Sequence, residues 1–303
     1  MAFRPVYSSK LTDLQIRDEF IRQRYSHQAS CKKCLSQKII WITQREYRCR
    51  ACWTVGSFTT ETFLQRSKIP LRIWYELIYC FAVTHTARKA GKLLGLDAVL
   101  CWKVYQTIRE ALVQNSSEYK EQITGTIELD ESFYGGTFKN LRKKVKAEFR
   151  RLGLNKRGGG AKYRKQPIFG IFKRNGKVFL ELIPEAKVLL PINRNRIKMG
   201  SDVFSDTGTW YTGLVGLGYV HRTVDHGKEE YVNGEVHING LEGFWGLSKT
   251  NMHTYKGIKK KNWVLYIKEM VFRYNYRALS FDQMGEKIIA LLMAYKKGNL
   301  VPY

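Results

Sequence analysis

The stretch "TIELDESFYGG", residues 126–136, decides the fold because it ends an apolar strand with two adjacent carboxylates, Asp130 and Glu131. Side chains alternate along a strand, so Glu131 shares the face of Leu129 and Asp130 points to the opposite face. At most one of the two acids therefore belongs to a given site. The other needs a different role, such as a contact at the strand end or one that supports the site.

The rest of the chain is strongly basic. Its 303 residues include 52 Lys+Arg against 26 Asp+Glu, a formal net charge of +26. This balance indicates a polyanionic partner, either nucleic acid or an anionic membrane. No apolar run approaches the roughly 20 residues of a membrane span, and the first ten residues lack the apolar segment of a signal peptide. We therefore expect a soluble, intracellular protein that binds DNA or RNA and no membrane.

Two CxxC pairs separated by fourteen residues predict a zinc ribbon near the N-terminus. The segments "KIIWI" and "EYRCR" between them alternate as short strands do. Four unrelated thiols, or a redox-active CxxC, are the alternatives. Cys80 and Cys101 lie in apolar helical stretches and are expected in the core. The predicted ligands of one Zn²⁺ are Cys31, Cys34, Cys49 and Cys52.

Residues 86–112 are typical of two helices that are broken at "LGLD". Gly95 occupies the position of the tight turn in a helix-turn-helix, and Asp97 is placed to cap the second helix. That second helix would enter a major groove. An ordinary helical hairpin has the same pattern, but the adjoining ribbon and the basic charge favour DNA binding.

The remainder of the chain alternates strands and helices. The segments "ITGTIELD", "PIFGIFKR", "KVFLELIP", "SDVFSD" and "YVHRTV" are typical of strands, whereas "TGTWYTGLVGLG", "INGLEGFWGLSK" and two C-terminal segments are typical of helices. This order predicts an α/β or mixed α+β sheet. The predicted domains are residues 1–60 with the ribbon, 61–118 with the helix-turn-helix, and 119–303 with the sheet and C-terminal helices.

Residues 137–165 hold twelve Lys/Arg and one acid, with "RGGGAK" among them. The composition predicts a flexible insert that binds DNA phosphates, and a solvated charged loop is the alternative. The residues expected to contact phosphate are Lys143, Lys144, Arg150 and Arg151.

Two further acids complete a candidate site. Asp206 ends a predicted strand, and Glu242 lies on a predicted helix. Together with Asp130 they suggest a site for two Mg²⁺ or Mn²⁺ ions that serves phosphodiester chemistry, because hard cations take carboxylate oxygens. Spacing alone leaves other acids open, namely Asp202, Asp225 and Glu235.

These motifs resemble a known family. The ribbon, the helix-turn-helix, "IELDESFYGG", "VFSDTGTWYTGL", "HINGLEGFWGLSK" and "FRYNYR" are similar to zinc-ribbon DDE transposases of bacterial insertion sequences, which are related to Merlin elements. The resemblance implies an RNase H-like catalytic domain with Asp130, Asp206 and Glu242 as the DDE residues. It also implies terminal inverted repeats and target DNA as partners, strand cleavage and strand transfer, and a homo-oligomer on DNA. The expected location is the bacterial cytoplasm at the nucleoid, or the nucleus in a eukaryote.

Three polar residues near Glu242 each have two predicted roles. Lys249 lies two helical turns after Glu242 and either holds a DNA phosphate or is a solvated lysine. His237 and Asn239 match the family's motif and either contact the substrate or cap the helix, with Asn239 the better cap. Trp245 is expected in the core. The alternative functions are a catalytically silent DNA-binding regulator or domesticated transposase, and an RNase H-like nuclease.

Overall fold

The computed structural model describes residues 2–25, 29–115, 122–135, 138, 141–153, 165–183, 189–207, 211, 213–224, 238–255 and 258–296. The strands are β1 (Ile39–Trp41), β2 (Glu46–Cys49), β3 (Val55–Ser57), β4 (Thr126–Tyr134), β5 (Gln166–Lys173), β6 (Val178–Leu182), β7 (Asp202–Asp206) and β8 (Val220–Val224). The helices are α1 (Asp13–Tyr25), α2 (Leu71–Ala82), α3 (Ala87–Leu94), α4 (Ala98–Gln114), α5 (Lys143–Arg151), α6 (Leu189–Arg196), α7 (Asn239–Thr254), α8 (Trp263–Asn275) and α9 (Phe281–Ala294). Within these ranges, no helix combines the length and the apolar character needed to cross a membrane.

The chain forms two compact units. Unit 1 comprises Met1–Ser117, Ile258–Glu269 and Tyr276–Tyr303, and unit 2 comprises Glu118–Gly257 and Met270–Asn275. Within unit 1, α9 packs against α1, α2 and α4 because it has an apolar face to bury. The structural units thus place most of the C-terminal helical residues with the N-terminal modules. The predicted domain ranges group these residues with the sheet, and those ranges stay a prediction.

The predicted ribbon strands are present, and β3 adds a third strand that the sequence pattern did not predict. The order is β1-β2-β3, with antiparallel pairing throughout. Tyr47 and Cys49 are buried on one face of this sheet and pack with Cys31. This small core lies beside the cysteine cluster, as expected of a module that folds around a metal.

The helix-turn-helix pattern corresponds to α3 and α4. Gly95 ends α3 in the left-handed conformation, with φ +68°. The Asp97 carboxylate accepts a hydrogen bond of 2.9 Å from the Leu100 amide and so caps α4, as predicted. Cys101, together with Cys80 of α2, is fully buried, which agrees with the expectation that both are core thiols.

Unit 2 is built on a five-stranded sheet in the order β6-β5-β4-β7-β8. Strand β4, which contains the opening stretch, is central. It pairs antiparallel with β5 and parallel with β7, and β8 continues the parallel half. This is the mixed sheet expected of an RNase H-like core. The predicted fold class is confirmed.

Two local expectations need correction. Lys143–Arg151 form helix α5, so the insert is not irregular throughout. Strong helix formers and an ion pair of 2.7 Å between Arg151 and Glu148 support this helix. The remaining insert residues 137, 139, 140 and 154–164 lie outside the described residues. In "TGTWYTGLVGLG", the described part contains a short 3₁₀ turn at Val215–Leu217, which ends at Gly218 with φ +81°, and no α-helical turn.

Candidate active site

Asp130 and Asp206 lie on neighbouring parallel strands at the same level. Thr126 of β4 is in register with Asp202 of β7, and Glu128 is in register with Phe204. Two residues further on, this register aligns Asp130 with Asp206. Residues aligned in this way project from the same face of a sheet, with their strands about 4.8 Å apart. The two carboxylates therefore share the carboxyl end of the sheet, where ligands of open α/β sheets collect.

The helix that carries Glu242 is fixed to β4 by a buried acid. Glu128 Oε2 accepts a hydrogen bond of 3.0 Å from the Leu241 amide in the first turn of α7. The other oxygen of Glu128 receives Arg174 Nε at 2.9 Å. Of the two roles predicted for Asn239, the helix cap is wrong, because the N-cap residue is Ile238, which makes no side-chain cap bond, and the substrate contact stays a prediction. The carboxylate of Glu128 on the strand takes over that role, because it accepts from the amide of Leu241, the residue directly before Glu242.

A tryptophan contacts the first acid directly. Trp245 of α7 donates from Nε1 to Asp130 Oδ2 at 2.9 Å, and the Glu131 amide donates to Asp130 Oδ1 at 2.8 Å. The indole fits because Gly170, the β5 residue paired with Asp130, has no side chain. A Cβ at Gly170 would lie 2.6 Å from the Trp245 ring. Trp245 is buried as expected, but it also orients Asp130.

The acids influence each other electrostatically. Burial, together with the negative charges of Asp206 and Glu242, raises the pKa of Asp130 to about 6, against the two hydrogen bonds to its carboxylate. Asp206 and Glu242 are thus near enough to Asp130 for their charges to act on its carboxylate. Among the described residues, however, only the four cysteines bring three or more ligand atoms within 4.8 Å of one another.

Glu131 occupies the other face of β4 but is not remote from the site. Burial raises its pKa to about 7, and the charges of Asp206 and Asp130 contribute. The nearby Tyr211 hydroxyl lowers this pKa, yet neither that hydroxyl nor Glu131 Oε1 has a hydrogen-bond partner of normal geometry among the described residues. Strand alternation separates Glu131 from Asp130 in direction, while Asp206 is near both.

The other predicted residues fall in different places. Lys249 is exposed on α7 with its ammonium 5.9 Å from the centre of the Tyr134 ring at the end of β4. Asn239 is exposed at the start of α7, and Asp202 stands at the opposite end of β7 from Asp206, 4.0 Å from Arg222. The four predicted phosphate contacts, Lys143, Lys144, Arg150 and Arg151, lie on α5, a helix with no buried residue. The predictions for His237, Asp225 and Glu235 lie outside the described residues.

The cysteine cluster has the geometry that zinc requires. All four sulfur atoms lie within 4.8 Å of one another, and the Cys31–Cys52 and Cys34–Cys49 pairs are each 3.6 Å apart. A tetrahedron of sulfur atoms about 2.3 Å from zinc has edges of about 3.8 Å. Hydrogen bonding with Thr54 lowers the pKa of Cys52 to about 6 and favours its thiolate, whereas the pKa of Cys34 is raised to about 12: a backbone hydrogen bond at Ser36 lowers it, but hydrogen bonds with the other three thiols outweigh that effect.

The sequence reading missed three contributors to the acidic site: Glu128, Gly170 and Trp245. A signal existed for Glu128, because an acid in the phase of Asp130 within a buried strand needs a partner. No comparable signal marked Trp245 or Gly170, since their contact joins segments 75 residues apart in the chain.

Known proteins resemble this chain. A family profile described as the ISXO2-like transposase domain matches residues 122–275. An uncharacterized transposase-like protein of Haemophilus influenzae is 30% identical over 127 residues, which is 41% of this chain and 98% of that protein. An uncharacterized protein in transposable element ISH50 of Halobacterium salinarum is 24% identical over 261 residues, 82% of this chain and 86% of that protein. Phosphoglucomutase 1 of Drosophila melanogaster is 30% identical over 129 residues, 22% of that protein.

Proposed function

This chain belongs to the family of ISXO2-like transposases, and we propose that it binds the ends of its element and catalyses metal-dependent strand cleavage and strand transfer. The observation that carries the proposal is the alignment of Asp130 and Asp206 at the carboxyl end of the sheet, with Glu242 within electrostatic reach. The proposed DNA partners are the terminal inverted repeats and a target site.

The residues fit the hard divalent cations that this chemistry uses. Asp130, Asp206 and Glu242 offer only carboxylate oxygens, which are the ligands that Mg²⁺ and Mn²⁺ prefer. The pKa of Asp130 is raised mainly by burial and further by the negative charges of Asp206 and Glu242, and a bound cation would offset both effects. When bound, two such ions would activate water or a 3′-hydroxyl and stabilise the leaving oxygen.

The chain's own residues hold the acids in place. Trp245 orients the Asp130 carboxylate by its indole N–H, and Glu128 anchors the first turn of the helix that carries Glu242. Lys249 and the basic side chains of α5 are proposed phosphate contacts. Such contacts bind and position DNA but carry no sequence information.

The cysteine cluster is proposed to hold one structural Zn²⁺. Its four thiols leave no open position for chemistry, because a tetrahedral site with four protein ligands is closed. The metal would stabilise the ribbon, which has a core of a few residues only. A homo-oligomer that assembles on DNA is part of the same proposal.

A silent DNA-binding protein is the second candidate. Such a protein would use the ribbon and α3–α4 alone and would have no need of Asp130 and Asp206 side by side where DNA phosphates approach. The paired acids, and the two separate hydrogen bonds that orient Asp130, favour the enzyme over the silent protein.

The test is cleavage of a duplex that carries an end of the element, with and without Mg²⁺. Asp130→Asn, Asp206→Asn and Glu242→Gln should each abolish cleavage and keep DNA binding, with little additivity among them because they act as one site. Asp202→Asn is the matched control, because it changes an acid of the same strand away from the site, and it should cleave normally. Normal cleavage by Asp206→Asn, or loss of cleavage in Asp202→Asn, would contradict the proposal.

A further inference from the structure

The zinc ribbon leaves one face of its sheet uncovered. Ile40 pairs with Arg48, and Arg48 pairs with Val55, so the three side chains form one row across the strands. Ile40 is 43% exposed, Val55 is 52% exposed, and Arg48 between them is exposed as well. The opposite face carries the buried Tyr47 and Cys49. The exposed face of this small sheet therefore carries an arginine between two exposed apolar side chains.

The two cysteine turns present bulky apolar residues in a strained conformation. Leu35 and Trp53 each follow the second cysteine of a CxxC pair, and each donates its amide to the carbonyl of the first cysteine, at 2.8 and 2.9 Å. Both have φ +59°, which glycine adopts without strain and bulky residues do not. They are 76% and 72% exposed, the highest values among large apolar side chains in the described residues. The turn requires a positive φ at these positions, but its backbone hydrogen bond does not require a large side chain there.

The charges around this surface select its partner. Arg48 stands in the middle of the row, whereas the centre of a protein–protein interface is depleted of charged residues. One exposed acid, Glu46, lies on the strands of the ribbon. The exposed basic residues of the ribbon are Lys32, which forms an ion pair with Glu61, and Lys33, Lys38, Arg48 and Arg50. This charge complements a polyanion and does not complement a second copy of a chain that is itself strongly basic.

We propose that the exposed residues of the ribbon, namely the row Ile40, Arg48 and Val55 and the turn residues Leu35 and Trp53, dock on duplex DNA and insert side chains into a groove. A surface that touched phosphates alone would need only the basic residues. Strands that enter a groove can contact guanine through arginine and thymine methyl groups through apolar side chains. The inference rests on the proposed action on DNA and adds a second DNA-contacting element to α4.

The strained backbone allows a test in which stability and binding move in opposite directions. Trp53→Gly removes the strain together with the ring. The affinity of the ribbon for zinc, measured by competition with a chelator, should therefore rise roughly fivefold. Trp53→Ala removes the ring and keeps the strain, so its zinc retention should match that of the unmodified protein. Both variants should bind a duplex from the end of the element about tenfold more weakly. Val215→Gln, which changes an apolar side chain that is 65% exposed in unit 2, should leave both quantities unchanged.

The binding assay is run with full-length protein, without divalent metal, against the end duplex and a scrambled duplex of the same composition. Arg48→Gln should lower the preference for the end duplex, whereas a phosphate contact would weaken both duplexes alike. Unchanged DNA affinity in both Trp53 variants would overturn the inference. If these variants also lost an oligomer in sedimentation, the surface would be an interface between copies of the chain. Because no strand is cut in this assay, a protein that fails to cleave DNA but depends on Trp53 for binding would refute the catalytic proposal and leave this one standing.

Discussion

Asp130→Asn should stabilise the metal-free protein near neutral pH, although it should abolish its activity. Burial raises the pKa of Asp130 from 3.8 to about 6. A change of this size means that ionising the carboxylate costs the folded state about 3 kcal/mol near neutral pH. The amide of Asn carries no charge and so avoids this cost. Its single carbonyl oxygen can keep only one of the two hydrogen bonds that Asp130 accepts, and the lost bond reduces the gain by about 1 kcal/mol. The net gain is about 2 kcal/mol.

The sign of the pH dependence distinguishes this cause from others. A carboxyl whose pKa is raised on folding contributes full stability below the pKa of the unfolded chain, and this contribution is lost as the pH rises through about 6. The advantage of Asp130→Asn should therefore be present at about pH 7 and absent at about pH 4. Urea unfolding with a chelator present measures it at both values. An equal effect at the two values, or a less stable variant near neutral pH, would refute the electrostatic explanation.

The other predictions concern single contacts and modules. Trp245→Phe keeps the ring over Gly170 but removes the N–H to Asp130, so the Mg²⁺ concentration for half-maximal cleavage should rise several-fold while the free energy of unfolding in urea changes by about 1 kcal/mol or less; an unchanged Mg²⁺ requirement would show that the bond does not orient the acid. Cys52→Ser should release zinc and unfold the ribbon, and metal analysis that finds one zinc per chain in this variant would argue against the cluster. Neutralising the basic side chains of α5 should weaken binding to all DNA sequences alike and reduce the salt slope by about one for each lost phosphate contact; an identical slope in salt titrations would identify α5 as a solvated helix. The residues changed together are Lys143, Lys144, Arg150 and Arg151.

The sequence predicted those parts of the fold that local patterns encode. The ribbon cysteines, the turn at Gly95, the cap at Asp97 and the strands of unit 2 follow from spacing, from backbone freedom and from alternation within a few residues. Helix α5 was missed because its charge masked good helix formers. Local patterns therefore sufficed wherever the determinant is a short stretch of chain.

The support of the acidic site was not predictable in the same way. Glu128 replaces a local cap for α7 from 113 residues away in sequence. The indole of Trp245 reaches Asp130 only because Gly170 on a third segment leaves room for it. Such contacts depend on how the helix crosses the sheet, which no pattern within one element specifies.

The central claim is that Asp130, Asp206 and Glu242 bind divalent metal directly, and a change of metal preference tests it most directly. Asp206→Cys replaces a hard oxygen ligand by a softer thiolate. The measurement is cleavage of the end duplex by this variant in Mg²⁺ and in Mn²⁺, with Asp202→Cys as the control at the other end of the same strand. We predict no cleavage by Asp206→Cys in Mg²⁺, recovery in Mn²⁺, and normal cleavage by Asp202→Cys in both. Equal cleavage by Asp206→Cys in the two metals, or none in either beside normal DNA binding, would contradict direct metal binding by this acid.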